Sequence, residues 1–158
     1  MDLSWVTDRI AVGGGIWNDE NMEQLVRLGV THIINMQIEF DDRPLAEGQP
    51  VTVYHNPTDD DFQPKPPQLF AGAIDFAVEA LDNHTENKVY IHCAAGVHRA
   101  PMMTLALLRV QGWDLEAAKE LIQRRRWVVD WADVYVESVE EFVKSVEDRV
   151  TESPDPQE

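Results

Sequence analysis

A chain of 158 residues, 44% hydrophobic and 27% charged, is long enough for one domain with a single sizeable core and has the composition of an ordinary soluble protein. Its 13 Lys and Arg against 29 Asp and Glu leave a formal charge of −16, which argues against a nucleic-acid backbone or an anionic membrane as the main partner and suits a solubilising surface. One cysteine excludes an internal disulfide and a cysteine-rich zinc cluster.

The opening "MDLSWVTDRI" has neither the basic start nor the apolar run of a signal peptide, and no stretch reaches the roughly 18 apolar residues of a membrane-spanning helix. A cytoplasmic protein without a membrane anchor is expected. "RIAVGG" reads as a short strand ending in glycines, and "NDENMEQLVRLG" as a helix capped by Asn18 or Asp19 and stopped at Gly29. "VTHIINM" and "VTVYHNP" read as two more strands, joined by the polar loop "EFDDRPLAEGQP". In "PPQLFAGAIDFAVEALDNH" the apolar positions Leu69, Phe70, Ala73, Ile74, Ala77, Val78 and Leu81 fall at helical spacing, with Pro66 and Pro67 near the start.

"KVYIHC" is a short apolar run suited to a buried central strand, and "APMMTLALLRVQG" reads as a helix ending at Gly112. "DLEAAKELIQRRR" forms a helix capped by Asp114. Its basic run Arg124 to Arg126 is either a solvated helix end complementing the dipole or an anion site. "DVYVESVEEFVKSVEDRV" is a last amphipathic helix. Residues 1–150 are expected to form one domain, with 151–158 a disordered tail. Alternating strands and helices predict an α/β fold, a mostly parallel sheet of about four to five strands flanked by helices.

Cys93 stands where a buried strand gives way to a loop and a helix. The first amides of a helix are unpaired and its dipole is positive there, so the junction suits an anion. A thiolate is stabilised by the same dipole and by a nearby cation such as Arg99. Arg99 can hold two phosphate oxygens with its planar fork, and Gly96 lets the loop turn tightly. A lone cysteine is more commonly a buried structural thiol, and it is the surrounding pattern that favours a nucleophile.

That pattern, "HCAAGVHR", resembles the H-C-x-x-G-x-x-R signature of the cysteine-based protein tyrosine phosphatases, and the compact length resembles the dual-specificity branch. The resemblance implies Cys93 as nucleophile, Ala94, Ala95, Gly96, Val97, His98 and Arg99 as phosphate binders, and a phosphocysteine intermediate with no metal or cofactor. It also implies a general acid in "NPTDDDF": Asp60 by the family's proline-to-Asp spacing, with Asp59 and then Asp61 as alternatives. Three adjacent aspartates are also an ordinary solvated loop. His92, pointing away from Cys93 by strand alternation, is expected to hydrogen-bond loop backbone and support the loop. His98 is either at the pocket rim or simply exposed.

Ala100 follows Arg99, where the family usually has the Ser or Thr that assists hydrolysis of the phosphocysteine, so slow release is implied. R-A-P is similar to the loop ending of the phosphatases of regenerating liver, whose prenylation motif, basic tail and second cysteine are not found here. The family's Pro-Asn pair after a late Arg aligns with Trp131 and Ala132. Trp127 or Trp131 either walls the pocket or packs in the core. The expected function is hydrolysis of a phosphorylated protein or small phosphomonoester. Alternatives are a low-turnover phosphate-recognition or scaffolding module, or a phosphatase of RNA 5′ ends or phosphoinositides, for which the loop lacks lysines.

Overall fold

The structure, a computed structural model, describes residues 1–152. Its elements run β1 (Leu3–Trp5), β2 (Ile10–Gly13), α1 (Asp19–Arg27), β3 (His32–Gln37), α2 (Arg43–Ala46), β4 (Thr52–Thr58), α3 (Pro67–Asn83), β5 (Val89–His92), α4 (Arg99–Val110), α5 (Leu115–Arg125) and α6 (Asp133–Glu152). The caps read from sequence are in place: the Asn18 side chain accepts from Asn21 N at the head of α1, and Asp114 accepts from Ala117 N at the head of α5.

The five strands form one sheet in the order β1-β2-β5-β3-β4, parallel throughout except for the antiparallel edge pair β1–β2. Strand alternation sends Val12, Ile34 and Ile91 into a core shared with α3 to α6, and Ala11, Ile33 and Tyr90 into a second core with Met22 and Leu25 of α1. Helices thus cover both faces, and a central strand buried on both sides is apolar without interruption, as "VYI" of β5 is.

The connection from β2 through α1 to β3 skips over β5, while that from β4 through α3 returns to it on the other face. The chain therefore reverses its winding at β5, and the crevice beyond the carboxyl end of that strand is the place where such sheets bind ligands. Cys93 follows that end directly.

Two elements depart from the sequence reading. Three residues of "LSW" make an edge strand because Leu3, Ser4 and Trp5 pair with Gly13, Val12 and Ala11. Within the expected polar loop, Arg43–Ala46 close one helical turn started by Pro44. α6 continues to Glu152, past the expected edge of the domain, and the remaining expected tail, 153–158, lies outside the described residues.

Candidate active site

Between β5 and α4 the backbone turns its carbonyls outward. Ala94 O accepts from Gly15 N at 3.1 Å and Val97 O from Asp130 N at 3.2 Å. Ala95 O and Gly96 O accept from Arg126 Nη2 and Nε, both at 2.9 Å. With four successive carbonyls claimed from outside, the amide side of the loop faces its concavity, the arrangement that receives an anion. Cys93, 3% exposed, lies in that concavity, where Gly96 N and Ala100 N donate to its Sγ at 3.3 and 3.4 Å. Gly96 takes φ 67°, and a Cβ there would strike the Arg126 guanidinium and the Gly13 carbonyl. His98, at the N-cap of α4, makes no side-chain capping bond, so the first amides of the helix are left to the loop.

Arg126 is therefore no solvated helix end. It is 5% exposed, and beyond the loop carbonyls it pairs with both oxygens of Asp2 at 3.0 and 2.7 Å, while Arg124 and Arg125 form the exposed end of α5. The Asp2 carboxyl is held below the usual range by this hydrogen bond.

Arg99, 6% exposed, gives Nη1 and Nη2 to the two oxygens of Glu39 at 2.7 Å each, and Nη1 also to Thr58 O at 2.8 Å. Its Nε is buried without a partner, so one donor of the fork stays free for a ligand. The hydrogen bond to Arg99 pulls the Glu39 carboxyl down to about 2, and Glu39, then the charge of Cys93, raise Arg99 further. Asn35 at the end of β3 donates to Phe40 O at 2.8 Å and so fixes the turn carrying Glu39.

His92 sits fully buried under the loop, Nδ1 3.3 Å from Cys93 O and Nε2 2.6 Å from Asp42 Oδ2, itself buried at the start of α2. The ring thus meets loop backbone, together with a carboxylate that the sequence did not suggest.

The three aspartates after β4 part company. Asp61 turns to Lys65 Nζ at 2.7 Å, and Asp59 is exposed, its carbonyl also taken by Lys65. Asp60 turns to the phosphate loop: its Oδ1 accepts from Tyr135 Oη at 2.8 Å, and its Oδ2 lies 3.1 Å from His98 Nδ1. Burial first, then the bond to Asp60, pushes the Tyr135 phenol up to about 12, so it remains a donor. His98 is at the rim, with Nε2 3.3 Å from Asp130 Oδ2.

Trp131 packs half-buried against the main core, but Trp127 does not: it is 84% exposed on a groove of about 300 Å³ behind the loop, beside Asp2, Ser4 and Val97. Sequence reasoning missed Asp2, Glu39, Asp42, Asp130 and Tyr135. Only Arg126 carried a signal, as part of the one basic run; the others lie in polar or amphipathic stretches with ordinary explanations.

The catalytic domain family of dual specificity phosphatases matches residues 15–145. Protein phosphatase Slingshot homolog 1 of Homo sapiens is 31% identical over 119 residues, 72% of this chain and 10% of that protein. Protein tyrosine phosphatase type IVA 3 of Mus musculus is 28% identical over 106 residues, 66% of this chain and 60% of that protein. The chain thus spans about a tenth of the length of Slingshot homolog 1. Among solved structures, PTPMT1 superposes with a TM-score of 0.81 at 22% identity over 96% of this chain and 99% of that one. A human tyrosine phosphatase-like serine/threonine/tyrosine-interacting protein superposes with a TM-score of 0.76 at 18% identity, covering 92% of this chain and 97% of that one.

Proposed function

The chain belongs to the dual specificity phosphatase family, a group of cysteine-dependent enzymes, and we propose that residues 1–150 act as one domain hydrolysing phosphomonoesters on proteins through a phosphocysteine. The observation that carries this reading is one thiol, one unpaired guanidinium nitrogen and one carboxyl converging on a loop of inward amides: Cys93, Arg99 Nε and Asp60.

In the first step Cys93 Sγ attacks phosphorus as the P–O bond to the leaving group breaks, and Asp60 gives that oxygen its proton. Loop amides from Ala94 to Arg99, together with Arg99 Nε, balance charge on the transferring oxygens. In the second step the oxygen of water bonds to phosphorus and its proton passes to Asp60, the P–S bond breaks with its electron pair returning to sulfur, and phosphate leaves. No cofactor or metal enters either step. At Ala100 the thiolate meets a backbone amide at 3.4 Å and no hydroxyl, so this second step is the slow one. The likeness of R-A-P to the phosphatases of regenerating liver supports the same expectation.

The site's rim is acidic: Glu39 pairs with Arg99, and Asp60 and Asp130 flank His98. Like charges raise the cost of binding a polyanion, so a phosphorylated side chain fits better than an RNA 5′ end or a phosphoinositide, although the structural neighbour PTPMT1 has been solved in complex with PI(5)P. Slow release at Ala100 also favours a scaffolding reading, in which the domain holds phosphorylated partners. Among the described residues no helix is long and apolar enough to cross a membrane. A lone thiol that serves as nucleophile has to stay reduced, and this supports a cytoplasmic location as part of the proposal.

Mixing the protein with phosphotyrosine, phosphothreonine and phosphoinositide compounds, followed by mass spectrometry, tests this. A phosphoryl adduct is expected on Cys93 and none on Cys93→Ser, together with a loss of turnover of at least about a thousandfold. Binding without any adduct would favour the scaffold, and full activity in Cys93→Ser would sink the phosphatase. Ala100→Ser should speed steady-state turnover and shorten the life of the adduct.

A further inference from the structure

His98 lies inside the phosphate loop, yet its side chain does no work on the loop. Nδ1 is 3.1 Å from Asp60 Oδ2 and Nε2 is 3.3 Å from Asp130 Oδ2, so the ring spans from the acid loop to the segment before α6. Asp130 is anchored there by its own backbone, whose N–H donates to Val97 O at 3.2 Å. The Phe62 ring meets the imidazole edge-on at 5.0 Å and stacks on Tyr135 at 5.7 Å, which keeps solvent from one face of the cluster. Asp60 is thereby gripped from two sides, by Tyr135 on one oxygen and His98 on the other.

We propose that His98 is a positioning residue for the general acid, a bridge oriented by Asp130 that holds the Asp60 carboxyl over the phosphate loop in both of its protonation states. This rests on the reading of Asp60 as the acid. In that reading Asp60 carries a proton when the P–O bond breaks, and lacks one when water attacks. When Asp60 is protonated its proton rides on Oδ1, the oxygen beside Tyr135, where it is free to pass to the leaving group, and Oδ2 accepts from Nδ1–H. An imidazolium donates from both nitrogens, one to each carboxylate. Tyr135 donates to Oδ1 in either case. A ring that keeps both of its protons leaves the acid's proton to the leaving group in the first step and the vacated place to water's proton in the second, and Asp130 takes the orienting part that a carboxylate plays behind a catalytic imidazole elsewhere.

The other charged groups facing the cluster are accounted for. Lys65 is occupied by Asp61 and the Asp59 carbonyl, and Arg99 by Glu39 and Thr58. Neither contacts His98, so the ring's polar contacts in the described structure are the two aspartates.

The test is how the first step depends on the leaving group. A phenolate that is a poor leaving group needs the proton of Asp60, whereas the far more acidic dinitrophenolate leaves without it. kcat/KM reports events up to cleavage of the P–O bond, so slow hydrolysis of the phosphocysteine does not mask the effect. The ratio of kcat/KM for phenyl phosphate to that for dinitrophenyl phosphate should fall about tenfold in His98→Ala. It should recover in part in His98→Asn, whose amide reaches the place of Nδ1. It should fall by a smaller factor in Asp130→Asn, where the side chain is 76% exposed and packing is not at stake.

A ratio in His98→Ala equal to that of the native protein, or an equal drop for both esters, would overturn the proposal. Asp60→Asn separates the two levels. If it lowers the ratio and His98→Ala does not, only the bridge fails; if neither does, the assignment of the acid fails with it.

Discussion

The phosphate loop and the acid loop face each other at the carboxyl edge of the sheet and are held in opposite ways. Residues 93–98 are fixed through their main chain: carbonyls are taken by Gly15, Arg126 and Asp130, and the loop is suspended between a buried strand and a buried helix. Residues 59–65 are fixed at the surface by side chains of α6. Phe62 N donates to Tyr135 Oη at 3.1 Å, Lys65 N to Ser138 Oγ at 2.9 Å, and Tyr135 Oη to Asp60. Phe62 takes φ 56°, rare for a side chain with a Cβ, and remains half-exposed. Charge is thus received by a rigid backbone cradle, while the proton is supplied from a loop whose place depends on a few contacts.

The two loops should therefore fail differently. Asp60→Asn should lower kcat/KM for phenyl phosphate by about 10²–10⁴-fold without changing the unfolding midpoint, since only the proton is lost. Arg126→Leu should act on stability as well, because it leaves the buried Gly96 carbonyl, the Ala95 carbonyl and the Asp2 carboxylate without their partner. A loss of about 2–3 kcal/mol in denaturant unfolding is expected, with weaker binding of inorganic phosphate. Tyr135→Phe removes one hydrogen bond from Asp60 and one from Phe62. About 1 kcal/mol, or roughly fivefold, should be lost from kcat/KM for phenyl phosphate, with phosphate binding untouched. Equal effects of Arg126→Leu and Tyr135→Phe on phosphate binding would erase the distinction.

The smallest effect concerns acid. The Glu39 carboxyl, held at about 2 against an ordinary 4.5, contributes its ion pair with Arg99 fully above the ordinary value and loses it as the pH falls toward 2. Thermal unfolding followed from pH 5 down to 2 should therefore fall more steeply for the native protein than for Glu39→Gln, whose pair is already gone. Parallel curves would mean that the pair at the loop contributes nothing to stability.

The cradle was legible in the sequence because its parts are contiguous. A buried strand, Cys93, Gly96, Arg99 and a helix follow one another within a dozen residues, each with a local reason for its place. The helices were legible from their caps and spacing, Asn18 and Asp114 among them. What surrounds the cradle was not. Glu39 meets Arg99 across 60 residues and Tyr135 meets Asp60 across 75, and no local pattern distinguishes either from a neighbour that points to water. β1 escaped for a related reason: three residues have no period of their own, and become a strand only because β2 offers an edge. The reading of Trp127 as a wall or a core residue failed on geometry, since the turn after α5 carries its side chain outward.

Asp2 and Arg126 are 124 residues apart, and the carbonyls they brace belong to residues 95 and 96. The pair joins the residue before β1 to the residue after α5, a contact of very high sequence separation that costs chain entropy until it closes. Most of the helical structure can form before that closure. In refolding, competence to bind phosphate is then expected to arrive late, trailing the recovery of helix by the time Asp2 and Arg126 need to find each other.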